Sequence, residues 1–107
     1  MKPVGNLNEW NKAMTDKEVG KKIIDYSKKS HNDEILKFLS LMKAGKKDAS
    51  TYNLYIKKGS KYEINISGKL HEQFDKAFAA DIAKGPWDTA TQEVLKMFND
   101  NIMTAIK

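Results

Sequence analysis

Residues 52–67 read Tyr-Asn-Leu-Tyr-Ile-Lys-Lys-Gly-Ser-Lys-Tyr-Glu-Ile-Asn-Ile-Ser (YNLYIKKGSKYEINIS), and this stretch decides the fold. Its first half predicts a short helix that stops at Gly59. Its second half, Tyr62 to Ser67, alternates polar and apolar side chains. Alternation at period 2 means extended backbone, with Ile64 and Ile66 on one side and Glu63, Asn65 and Ser67 on the other. The segment is too short and isolated to build a sheet. It predicts a connector pinned by the two isoleucines, joining helical blocks and holding Asn65 outward. Loops held on a rigid base are where binding residues concentrate.

On either side the chain is helical in pattern. Residues 1–5 are expected to form a loose arm, and residues 6–107 a single domain. Asn6-Leu7-Asn8-Glu9 has the form of a capping box ahead of a helix with Leu7, Trp10 and Met14 on one face. Thr15-Asp16-Lys17-Glu18 repeats the signature before a helix whose inward face is Val19, Ile23 and Tyr26. Asp33 and Glu34 open a third helix, since carboxylates favour the positive end of the helix dipole. It carries Ile35, Leu36, Phe38, Leu39 and Met42, and ends at Gly45; Lys46 to Ser50 is expected as loop.

After the connector, Ser67 is the natural cap of a helix with the stripe Leu70, Phe74, Phe78 and Ile82, stopped by Gly85-Pro86. A last helix starts near Trp87-Asp88 and runs to the end on Ala90, Val94, Leu95, Phe98, Ile102 and Ile106. Trp87 is expected to seal the junction between these last helices. The fold class is therefore all-α, a bundle of six to eight helices counting short ones.

Composition narrows the chemistry. The apolar fraction of 40% and charged fraction of 31% suit one soluble domain. There is no cysteine, so neither a disulfide framework nor a thiolate metal site is available. No apolar run is long enough to span a bilayer, and the first residues lack the apolar core of a secretory signal. A cytoplasmic chain is the expectation. His31 and His71 have no metal-ligand spacing to a second ligand, and there is no glycine-rich phosphate loop or HExxH or GxSxG motif. No intrinsic catalysis and no cofactor are expected.

The net charge is +5, carried in lysine clusters at 21–29, 46–47 and 57–61, with no arginine. Lysine holds phosphates but lacks the bidentate fork that reads bases, so a solvated surface is expected before a nucleic-acid site. Phe38, Phe74, Phe78 and Phe98 sit at core spacing.

Three stretches together resemble the RGS domain, the family of regulators of G-protein signalling. Gly20 to Leu39 (GKKIIDYSKKSHNDEILKFL) is similar to the family's glycine, spaced aromatics and Lys/Ser/His-rich turn, followed by its Glu-Asn-hydrophobic-x-Phe-Trp pattern. Tyr55-Ile56-x-x-Gly59-Ser60 followed by Glu63-Ile64-Asn65-Ile66 resembles the family's YI..GSP.EINI signature. Trp87 to Ile106 resembles its Phe-Asp-x-Ala-Gln helix. Order and spacing agree over about 90 residues, which is more specific than any one stretch.

The resemblance implies an RGS-like bundle of two helical subdomains. It implies a monomer that binds the activated α subunit of a heterotrimeric G protein and accelerates its GTP hydrolysis. Such a protein donates no catalytic group; it grips the partner's switch segments in their transition-state conformation. It would work in the cytoplasm, with peripheral contact at the inner face of the plasma membrane allowed. By position, the partner-contacting residues implied are Glu34, Ile35, Asn65, Ser67, Met97 and Asn101. Ile35 replaces a family asparagine, Asn101 an aspartate, and Ala105 the arginine that buttresses it. Those three replacements carry the alternative expectation, a non-activating scaffold of the same fold.

Overall fold

Helix starts follow the capping chemistry. Asn6 accepts from the Glu9 N–H at 2.9 Å, opening α1 (Leu7–Thr15). The Glu9 carboxylate reaches the N–H of Gly5 at 2.7 Å rather than that of Asn6. Asp16, not Thr15, caps α2 (Lys17–Lys29), accepting from Glu18 and Val19. α3 (Asp33–Lys43) begins after Asn32, whose side chain makes no cap bond to the helix. α4 (Ala49–Thr51) is capped by Asp48, whose carboxyl lies below the usual range because it accepts from the backbone and side chain of Thr51. Helix thus starts inside the expected 46–50 loop. α5 (Gly68–Ala80) starts at Ser67 and α6 (Trp87–Phe98) at Pro86.

α2 and α3 end in the same way. Asn32 N–H bonds Ser27 O at 2.8 Å and Lys46 N–H bonds Leu41 O at 2.9 Å, each closing a left-handed residue into the helix end. Gly45 takes that place after α3 with φ of 76°, whereas His31 takes it after α2 with φ of 61°. Two helices continue as π-helical turns, Tyr52–Ile56 after α4 and Asn99–Met103 after α6. Their signature bonds are Lys57 N–H to Tyr52 O at 2.9 Å and Thr104 N–H to Asn99 O at 3.1 Å.

The computed structural model describes residues 3–106, and among them the protein is all-helical, with six α-helices and no strand. α1, α2, α3 and α6 pack together, with the π turn after α6 laid on α2. α5 packs on the π turn after α4 and on a short 3₁₀ turn, Ile82–Lys84. One apolar cluster runs through both groups. Phe38, Phe74, Phe98, Trp87, Ile23, Leu39 and Ile56 are its largest fully buried side chains.

Three details depart from expectation. α5 ends at Ala80, ahead of Gly85-Pro86, and Ile82 belongs to the 3₁₀ turn. Phe78, inside α5, falls outside the core, 45% exposed, and stacks on Tyr52 at 4.5 Å. The arm is not loose where it is described: Val4 is buried, and its N–H and C=O both pair with the Asn99 amide at 2.8 Å. Met1, Lys2 and Lys107 lie outside the described residues. Trp87 does seal its junction, buried, edge-on to Phe74, with its Nε1 donating to Ile82 O at 2.7 Å.

Candidate functional site

The connector is held at both ends. Tyr62 N–H donates to Leu54 O at 3.0 Å and Ile64 N–H to Tyr55 O at 2.9 Å, laying its first half along the preceding π turn. Ile64 and Ile66 are buried, while Glu63, Asn65 and Ser67 are exposed, as the alternation predicts. The backbone is not straight, however. Ile66 N–H returns to Ile64 O at 2.9 Å, a three-residue γ-turn with Asn65 at its apex. Two buried side chains anchor the turn and leave one amide outermost.

Ser67 fixes the far end. Its hydroxyl accepts from Leu70 N–H at 3.3 Å, the expected cap of α5. Its backbone N–H donates to Glu93 Oε1 at 3.2 Å and its hydroxyl lies 3.4 Å from Glu93 Oε2. Glu93 thereby ties the connector to α6. Met97 follows one helical turn later, half-buried, and Asn101 a further turn on, exposed within the π turn. The Ser67–Glu93 contact thus joins the connector that carries Asn65 to the helix that carries Met97. Ala105, past the end of the π turn, borders an open cleft of about 680 Å³ with Lys22, Tyr26 and Lys29 of α2.

Two of the implied contacts lie elsewhere. Glu34 is half-buried in the first turn of α3, a helix that packs on α6. No hydrogen bond or ion pair among the described residues links it to the connector. Ile35 is 3% exposed and belongs to the core. Its expected place at a partner-facing rim is corrected: α3 turns this position inward, where an isoleucine side chain contributes burial instead of contact. Glu93 is the residue that the sequence did not single out. A carboxylate 26 positions from the serine it holds leaves no local signal.

Polar groups beneath the connector are also arranged. Glu63 Oε1 accepts from Gly59 N–H at 2.9 Å, closing the turn before the connector, and its Oε2 stands 3.8 Å from Nε2 of buried His71. Burial pushes the Tyr55 phenol up, with the neighbouring Tyr62 and Asp33 adding to it. Among the described residues no group of three or more His, Cys, Asp or Glu side chains is placed to hold a metal ion. The connector presents a neutral amide, Asn65, at a fixed apex two residues before the Ser67–Glu93 contact with α6. Compared with protein-family models, with curated proteins and with solved structures, the chain matches none.

Proposed function

We propose that this chain binds the activated α subunit of a heterotrimeric G protein and accelerates its GTP hydrolysis. The observation that carries the proposal is Asn65, the exposed apex of a γ-turn whose flanking isoleucines are buried. The resemblance of Tyr55 to Ile66 to the RGS signature assigns this residue the contact with the partner's switch region. An amide suits that task, because its carbonyl and NH₂ can each hold one partner group without adding charge. Rigid presentation matters as much. A clamp lowers the barrier only if it fits the transition-state conformation better than the ground state, and a preorganised group loses least on binding. One π turn leads into the connector and the other carries Asn101, and π turns recur at functional sites.

The test is single-turnover GTP hydrolysis by a panel of Gα subunits, with wild type and Asn65→Ala. Acceleration by wild type and a loss of tenfold or more in the variant are expected, about 1.4 kcal/mol of transition-state contact. Acceleration that survives the substitution unchanged would refute the role of Asn65.

A second proposal rests on Asn101 and Ala105, which stand where the family carries an aspartate and its buttressing arginine. Here the chain is a scaffold that keeps the fold without activating the GTPase. Equal binding to GDP-bound and aluminium-fluoride-loaded Gα would favour it; preference for the latter favours the activator.

A further inference from the structure

We infer that the surface around Leu54 and Tyr62 is a docking face for an anionic lipid bilayer. The inference is independent of the G-protein proposal and rests on side chains which that proposal does not use.

Leu54 is one of three large apolar side chains left exposed among the described residues, at 41%. It belongs to the π turn before the connector, and its carbonyl accepts the N–H of Tyr62. The two side chains therefore start from bonded backbone. Cations converge on the same place. The Lys37 ammonium lies 5.0 Å from the centre of the Tyr62 ring and that of Lys61 lies 5.2 Å from it. These lysines come from different elements, α3 and the turn after Gly59, so their reach to one ring is a tertiary fact. Lys57 and Lys58, both exposed, come directly after the π turn that carries Leu54.

The nearby carboxylates are engaged elsewhere or only loosely paired. Asp33 stands 3.8 Å from Lys37 with both groups about half exposed. The Glu63 carboxylate accepts from Gly59 N–H and lies beside His71. Lys57, Lys58 and Lys61 form no ion pair among the described residues.

An exposed aliphatic side chain, a half-buried tyrosine and a cluster of lysines match the layers of a bilayer surface. Lysines draw to anionic headgroups, tyrosine suits the interface, and leucine reaches the acyl boundary. Nucleic acid fits less well. It would be read by guanidinium forks that this chain lacks, and it offers nothing apolar to Leu54.

The experiment is co-sedimentation of the whole chain with phosphatidylcholine vesicles, with and without a third of phosphatidylserine, at low and high salt. Binding is expected only with phosphatidylserine and should weaken as salt rises. Each lysine near the surface contributes about fivefold, so Lys57→Gln, Lys58→Gln and Lys61→Gln combined should weaken binding on the order of a hundredfold. Leu54→Ser should weaken it roughly tenfold while leaving the salt dependence unchanged. All these positions are exposed, and melting curves would verify that the variants fold. No binding to phosphatidylserine vesicles at low salt overturns the inference. So does binding unaltered by the triple substitution, or tighter binding to duplex RNA or polyglutamate than to the vesicles at equal salt.

Discussion

Asn99→Ala tests how the two ends of the chain hold the C-terminal π turn in place. The Asn99 amide acts as a peptide group: Oδ1 accepts the Val4 N–H and Nδ2 donates to the Val4 C=O, both at 2.8 Å. The partners are 95 residues apart, so no local structure replaces the pairing. Each hydrogen bond of this kind contributes about 0.5–1.5 kcal/mol net. The site is partly buried, so water can re-solvate the released backbone and mid-range values apply. Two bonds then amount to about 2 kcal/mol, with loosening of buried Val4 adding to that. At an unfolding entropy of about 2.1 cal/mol/K per residue, this lowers the melting temperature by about 9 °C. Thermal melts read the global loss, and hydrogen exchange at the Val4 amide reads the local one. A decrease below about 2 °C with the Val4 amide still protected would show that the pairing is not what secures the arm.

Other perturbations address the rest of the fold. Gly20→Ala should lower the denaturant midpoint by about 1–3 kcal/mol equivalent despite alanine's better helix propensity, because its Cβ would lie 2.2 Å from the Met14 carbonyl oxygen. An unchanged midpoint would mean that α1 and α2 separate freely. His31→Gly should raise stability by about 0.5–1 kcal/mol, since His31 has φ of 61° where the end of α3 has a glycine; thermal melts decide, and no gain refutes strain at that position. The Tyr52 phenol is pushed up to about 12 by burial first and then by its hydrogen bond to Asp75. Its folded value lies above its unfolded one, so this stabilisation is full below about pH 10 and lost as pH rises toward 12. Urea midpoints across that window should fall more steeply in wild type than in Tyr52→Phe, and parallel slopes would exclude the linkage.

Local chemistry made much of the architecture legible. Asn6 and Ser67 cap their helices because a short acceptor side chain ahead of an apolar period has few other uses. The buried and exposed alternation from Glu63 to Ser67 follows from the two-residue period of extended backbone. The apolar stripe runs on to Ile82 because periodicity continues past the point where a helix stops, and Phe78, still inside α5, covers the Tyr52 ring from outside the core. Asp81 turns back to cap the next short turn through the Ala83 N–H, and the stripe is cut before its last member. Ile35 was misplaced because its partner-facing role came from a resemblance in spacing, whereas which face of α3 turns inward depends on α1, α2 and α6.

By itself the sequence determined that the chain is helical, where most helices begin, and that Asn65 faces outward between two buried isoleucines. These depend on interactions within a few residues, which a one-dimensional pattern records. Only the tertiary structure decided that Glu93 holds Ser67, that Asn99 holds Val4, and that Lys37 and Lys61 both reach the Tyr62 ring. Those pairings join distant positions. They depend on the directions in which packed helices bring side chains together, and the same residue types could have paired otherwise.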